Sequence, residues 1–247
     1  MGRAAGSPRR QAAGSGPRPM PGERSERVRL RSARGRGVSS TRWLTRQLND
    51  PYVQRARREG YRSRAAYKLL EIDRRFGLLK RGGRVVDLGS APGGWVQVAA
   101  RRGCRVVGLD VLEMQPVEGA ALLEGDIFDP ATPARLREAL GGPAELLLSD
   151  VAASATGQRA VDRLRAEAIG EAVLDLAPEL LAPGGSVLVK LVRGAEDGIA
   201  ASARRAFARV RLVRPEASRR ESSEIYLLGL GYRGDPASDA GGEPEGG

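Results

Sequence analysis

Apolar and polar positions along the middle of the chain follow two periods. Residues 84–88, Arg-Val-Val-Asp-Leu, are a short β-branched run and predict a buried strand. Residues 63–76 carry apolar positions at Ala66, Leu69, Leu70 and Ile72, the spacing of one helix face. The alternation continues. Strands are predicted at 84–88, 105–109, near 121–123, at 145–150, 186–191, 210–213 and 224–230. Helices are predicted at 95–102, around 133–140, at 161–181 with Pro178 ending or kinking it, and at 195–208. Pro183-Gly184-Gly185 reads as a turn into the strand at 186. Strands alternating with helices imply a mostly parallel α/β sheet of seven strands, covered by helices on both faces. The last two strands lie close enough in sequence for an antiparallel edge pair.

The first strand runs into Gly89-Ser-Ala-Pro-Gly93-Gly94-Trp95. Glycines permit positive φ and close approach of a ligand. A strand, a glycine loop and a helix form the ligand-binding first unit of a doubly wound sheet. The spacing G-x-x-x-G-G differs from the G-x-G-x-x-G of dinucleotide sites. Asp87 near the end of the first strand, Asp110 after the second and Asp126 after the third place acids at carboxyl ends of strands. Asp110 is positioned to hold ribose hydroxyls. Acids without a lysine suit a ligand that is cationic and lacks phosphate, such as S-adenosyl-L-methionine. Singly, each acid is more often a helix cap or a solvated loop residue; their common position at the ends of successive strands strengthens the joint reading.

Two apolar strands carry ionisable residues near their carboxyl ends: Leu-Leu-Leu-Ser-Asp150 and Val-Leu-Val-Lys190-Leu-Val. A lysine in such a strand is costly to bury unless paired. The carboxyl ends of an open sheet line its ligand crevice, so Lys190 should meet Asp150 there. A structural ion pair or a snorkelling lysine is the plainer alternative.

Charge changes the picture of partners. The 247 residues carry a formal net charge of +11, mostly from arginine, which favours a nucleic-acid partner. Residues 1–38 hold ten arginines and two glutamates among Gly, Ala, Ser and Pro, and read as a disordered basic extension. Residues 234–247 read as a disordered acidic tail. The folded part, 39–233, keeps a net charge of +7. With no histidine in the chain, histidine bases and His-ligated metals are excluded, and no metal site is expected. Cys104, the single cysteine, forms no internal disulfide and reads as a core residue. No apolar run reaches the ~18 residues of a membrane span.

Five segments together resemble the FtsJ-type ribosomal RNA 2′-O-methyltransferases: residues 62–72, the loop 87–95, Ser149-Asp150, Gly184-Gly-Ser-Val-Leu-Val-Lys190 and Ser222-Ser-Glu224-Ile-Tyr. Ser40-Thr-Arg-Trp43-Leu and Tyr52-Val-Gln are similar to the start of the bacterial members. The resemblance covers about residues 39–233. It implies a Rossmann-like class I methyltransferase fold and transfer of a methyl group from S-adenosyl-L-methionine. It further implies that Lys68, Asp150, Lys190 and Glu224 form the catalytic tetrad, and that Gly93, Trp95, Asp110, Asp126 and Asp150 hold the cofactor. The implied substrate is a ribose of a uridine in the A-loop of 23S rRNA, in the large (50S) ribosomal subunit. A cytoplasmic monomer, free of membrane, is the corresponding expectation. In one respect the sequence departs from the family: its members usually have X-Ala-Pro after the tetrad aspartate, where this chain has Val151-Ala-Ala. Two alternatives stay open: the same chemistry on a tRNA or an mRNA cap, and an RNA-binding ribosome-assembly factor without catalysis.

Overall fold

The computed structural model describes residue 45 and residues 47–152, 156–219 and 221–234. The basic extension, Ser40–Leu44 and the acidic tail beyond 234 lie outside them. The chain divides into Met1–Pro51 and Tyr52–Gly247, and the fold described here is that of the second unit.

Seven strands form one sheet: β1 (Arg84–Leu88), β2 (Arg105–Asp110), β3 (Ala120–Glu124), β4 (Ala144–Ser149), β5 (Leu181–Val192), β6 (Phe207–Val213) and β7 (Glu224–Tyr232). Their order is β3-β2-β1-β4-β5-β7-β6. Strands β1 to β5 pair in parallel, while β7 runs antiparallel between β5 and β6. The expected mostly parallel seven-stranded sheet is therefore present, and the edge pair is antiparallel. The helices are α1 (Pro51–Glu59), α2 (Ala66–Phe76), α3 (Gly94–Arg101), α4 (Thr132–Leu140), α5 (Arg159–Asp175), α6 (Ala177–Leu180) and α7 (Glu196–Ala206).

The period of two along each strand divides the core. Val86, Leu147, Val187, Val189 and Leu191 face α4, α5 and α7 in one cluster; Val85, Leu146, Leu148, Leu188 and Tyr226 face α2 and α3 in another. Lys190 shares the parity of Leu188, Asp150 that of Leu148, and Glu224 that of Tyr226. All three therefore emerge on the α2 side, where the apolar floor ends.

Four local readings differ from the sequence expectation. Helix α1 was not foreseen; Pro51 starts it, but the segment is so rich in arginine that only Ala56 is buried. Residues 63–65, expected as helix, instead form a tight turn in which Ser63, Arg64 and Ala65 carbonyls accept from the amides three residues on. The long helix expected over 161–181 breaks at Leu176, and Pro178 sits in the first turn of α6, where its missing N–H costs nothing. Pro183-Gly184-Gly185 is not a free turn but an irregularity inside β5: Leu181 already pairs with Ala144, and the register shifts before Ser186 meets Leu146.

Candidate active site

The loop after β1 is shaped by its glycines. Gly89 has φ of 69°, and a Cβ there would come within 2.0 Å of Val151 Cγ2. Gly93, at φ 102°, starts α3 in the left-handed region. A Cβ on Gly94 would lie 2.3 Å from Ser63 Oγ, so the turn before α2 packs directly on this loop. Arg62 fastens the arrangement. Its guanidinium donates to the carbonyls of Pro92 (3.2 Å), Gln115 (2.6 Å) and Pro116 (2.6 Å), and its backbone N–H donates to Gln97 Oε1 at 2.8 Å. Neither Arg62 nor Gln97 was singled out from the sequence.

The acids expected around this loop have differing surroundings. Asp110 Oδ2 accepts the Ala91 amide at 2.8 Å and Oδ1 the Leu112 amide at 2.9 Å. Each carboxylate oxygen has a further lone pair for a ligand hydroxyl. Asp126 is exposed; its Oδ1 accepts from Phe128 N at 3.1 Å. The Trp95 side chain points away from the loop into the core. It is 3% exposed, its Nε1 donates to Ala65 O at 2.8 Å, and its ring leans on Tyr226 with centroids 5.9 Å apart. What Trp95 can offer a ligand is its backbone, in the first turn of α3.

Asp87 is fully enclosed. One oxygen is held by the Val96 amide, and Oδ2 has no partner among the described residues. Burial, with repulsion from Asp150 and Asp110, pushes its pKa well above the ordinary carboxylate range. The folded state therefore keeps the Asp87 proton to a higher pH than the unfolded chain does. The stability this gives is fully present below the ordinary Asp range near ~4 and is lost as pH rises through the folded value. Asp87→Asn keeps the acceptor for Val96 and removes the titration. Its melting temperature should gain on the wild type as pH is raised from 4 to 8, by ~2–4 °C for each kcal/mol recovered. Thermal melts across that range check it; parallel curves would show that Asp87 is not the titrating group.

At the carboxyl edge of the sheet, the four residues of the expected tetrad converge. Lys190 on β5 lies opposite Tyr226 on β7, and Val192 opposite Glu224. Directly opposed residues project to the same face, so Lys190, Tyr226 and Glu224 lie together, with Asp150 beside them just past β4. Lys68 reaches in from α2. Its Nζ donates to Glu224 Oε2 at 3.0 Å, ion-pairs with Oε1 at 2.9 Å without hydrogen-bond alignment, and lies 3.7 Å from Asp150 Oδ2. Lys190 Nζ donates to the Asp150 carbonyl at 2.6 Å and lies 3.2 Å from Asp150 Oδ1. Tyr226 joins the two halves: its hydroxyl accepts from Lys68 Nζ at 3.0 Å and donates to Asp150 Oδ1 at 2.7 Å. Burial and the neighbouring carboxylates hold the Tyr226 hydroxyl in its neutral, donating form. Tyr226 carries no separate signal in the sequence, since a tyrosine in a strand is ordinarily a β-former.

Cys104 is buried, its thiol donating to Lys80 O at 3.2 Å and pushed up to about 11 by burial, as an inert core residue should be. No group of three metal-ligating side chains occurs among the described residues, and no described helix is long and apolar enough to cross a membrane.

Comparison with known proteins agrees with this geometry. The model of the FtsJ-like methyltransferase family matches residues 61–232. A Gluconobacter oxydans protein named ribosomal RNA large subunit methyltransferase E is 52% identical over 212 residues, covering 85% of this chain and 79% of its own. A protein of the same name from Acidiphilium cryptum is 51% identical over 210 residues, covering 84% and 93%. Among solved structures, one described as a ribosomal RNA methyltransferase from Plasmodium falciparum superposes with a TM-score of 0.65 at 27% identity, covering 71% of this chain and all of the other. With most of the folded unit matched, and with a linked pair of lysines and a pair of acids at the edge of the sheet, the chain belongs to the FtsJ-like methyltransferase family.

Proposed function

We propose that the protein transfers a methyl group from S-adenosyl-L-methionine to the 2′-hydroxyl of a ribose in large-subunit rRNA, a uridine of the 23S A-loop, acting on the 50S subunit as a cytoplasmic monomer. The observation that carries this reading is the linked array Glu224–Lys68–Tyr226–Asp150–Lys190, set at the edge where the glycine loop ends. Lysines and carboxylates so joined suit a hydroxyl acceptor. The names of the relatives select rRNA over a tRNA or a cap, and the complete array favours an enzyme over an inactive assembly factor.

The loop fits the cofactor. Positive φ at Gly89 and Gly93 gives it room, Asp110 has free lone pairs for two ribose hydroxyls, and Asp126 and the Trp95 backbone complete the rim with Asp150 beyond. When bound there, S-adenosyl-L-methionine supplies an electrophilic methyl on a sulfonium. The chain does the rest. Lys190, as the neutral amine, orients the 2′-hydroxyl and takes its proton as the O–CH3 bond forms and the methyl–sulfur bond breaks to leave a neutral thioether. Asp150 holds Lys190 and, with Tyr226 and Glu224, fixes Lys68 as a positive neighbour. Alignment of oxygen with methyl supplies much of the rate.

Mapping 2′-O-methylation in 23S rRNA, after incubating the purified protein with 50S subunits lacking the mark, tests the whole reading; a mark on another RNA would redirect it. The cofactor assignment has its own test. Asp110→Ala should weaken S-adenosyl-L-methionine binding by at least ~1.4 kcal/mol, a tenfold change, in calorimetry. Unaltered affinity would place the ribose elsewhere.

A further inference from the structure

Beside Lys190 the edge of the sheet opens into a cleft of about 580 Å³. Val151 and Ala152 after β4, and Val192 at the end of β5, give it an apolar floor; Arg163 of α5, Arg193 and Ser223 form its rim. Pockets of ~300–1,000 Å³ accept whole small ligands, and this one opens directly onto the Lys190 side chain.

Arg193 is fixed in its main chain and free in its side chain. Its N–H donates to Ser223 O at 2.9 Å, extending the β5–β7 ladder one step past Val192 and Glu224. Its guanidinium is exposed and makes no hydrogen bond or ion pair with any described residue. It stands three residues beyond Lys190, in the turn just past the end of β5. Arg163 stands beside it: its Nη1 would lie 3.6 Å from a Cβ on Gly194, while its Nε is held by Glu167 at 2.9 Å. Two guanidinium groups thus share one rim. Of the acids nearby, Asp162 is occupied by the amide and hydroxyl of Thr156, both at 2.7 Å, and Glu221 is exposed.

We infer that this cleft seats the base of an unpaired target nucleotide against its apolar floor, while Arg193 and Arg163 hold the adjoining RNA phosphates. This rests on the reading above and deepens it: the substrate is a splayed, single-stranded nucleotide rather than one within a helix. An unpaired base turns out into such a cleft readily, whereas a base in an A-form helix must first be unpaired and unstacked. Arginine suits the rim because its fork matches phosphate oxygens. Arg193 and Arg163 are positioning residues: they seat the nucleotide and leave the proton transfer at Lys190 untouched.

The test uses the full chain with 50S subunits lacking the A-loop methyl and, separately, a single-stranded RNA oligonucleotide. Arg193→Ala and Arg163→Ala should each weaken RNA binding and raise KM for the subunit, with kcat at saturation and cofactor affinity held. Each should lower the slope of log affinity against log salt by ~0.7, the value of one single-strand phosphate contact. Arg193→Lys should restore the slope, since the charge returns. Arg209→Ala, an exposed arginine of β6 outside the cleft, should change nothing. Unchanged slopes and KM in the Arg193 and Arg163 variants would overturn the cleft while leaving the methyltransferase reading intact; so would a fall in kcat at constant KM. If the wild type marks no rRNA, the proposed function fails, and the oligonucleotide slopes still decide whether the cleft holds RNA.

Discussion

Lys190→Ala should lower single-turnover methyl transfer by ~10²–10⁴ and leave S-adenosyl-L-methionine affinity nearly unchanged. The reason lies in how little else the substitution disturbs. Lys190 is flanked by Val189 and Leu191, both fully buried, so the strand keeps its place without the amine. Asp150 remains held by the Tyr226 hydroxyl at 2.7 Å, and Lys68 by Glu224 at 3.0 Å. What disappears is the group proposed to orient the hydroxyl and accept its proton. Lys190→Arg should fail as well, because a guanidinium does not give up its proton at working pH. Rates measured with 50S subunits, beside calorimetry for the cofactor, separate the effects. If Lys190→Ala kept more than about a tenth of the wild-type rate, Lys190 would be structural and the hydroxyl would need no base from this side chain.

The residues that made this site legible in the sequence are those that break a pattern. Lys190 interrupts an apolar strand, Asp150 ends one, and glycines 89, 93 and 94 interrupt the step from strand to helix. Such breaks are expensive in a buried sheet, so they mark function. What stayed hidden conforms to its local pattern. Tyr226 is a good strand residue, and its role comes from partners 76 and 158 positions away. Trp95 stands in the motif, yet the sequence does not say that its indole turns inward to Ala65. Asp87 reads as one more acid of the pocket; only the packing of α3 over it shows a carboxyl enclosed on every side. Arg62 looks like one arginine among many, because its four partners, three on loops and Gln97 on α3, are brought together only by the fold.

Asp150→Ala should be the most damaging change in the array, costing ~10³–10⁴ in rate and several degrees in melting temperature. Asp150 is the one residue that touches Lys190, Lys68 and Tyr226 alike. Without its carboxylate, Lys190 keeps only the residue-150 carbonyl, and the fully buried Tyr226 hydroxyl loses its acceptor. A buried hydroxyl left unsatisfied costs ~1–3 kcal/mol, and each kcal/mol lowers the midpoint by ~2–4 °C for a chain of this size. At a pH high enough to ionise Asp87, relief of the repulsion that Asp150 exerts on it offsets part of that loss. Asp150→Asn separates the two effects: its amide oxygen still accepts from Tyr226, so most of the stability should return while the rate stays low for want of the charge. Glu224→Ala should cost less, since Lys68 retains Tyr226 at 3.0 Å and Asp150 at 3.7 Å. Melting curves and single-turnover rates for the three variants check this ranking. Equal losses at Asp150 and Glu224 would mean that the array works as two independent ion pairs, with Tyr226 a bystander between them.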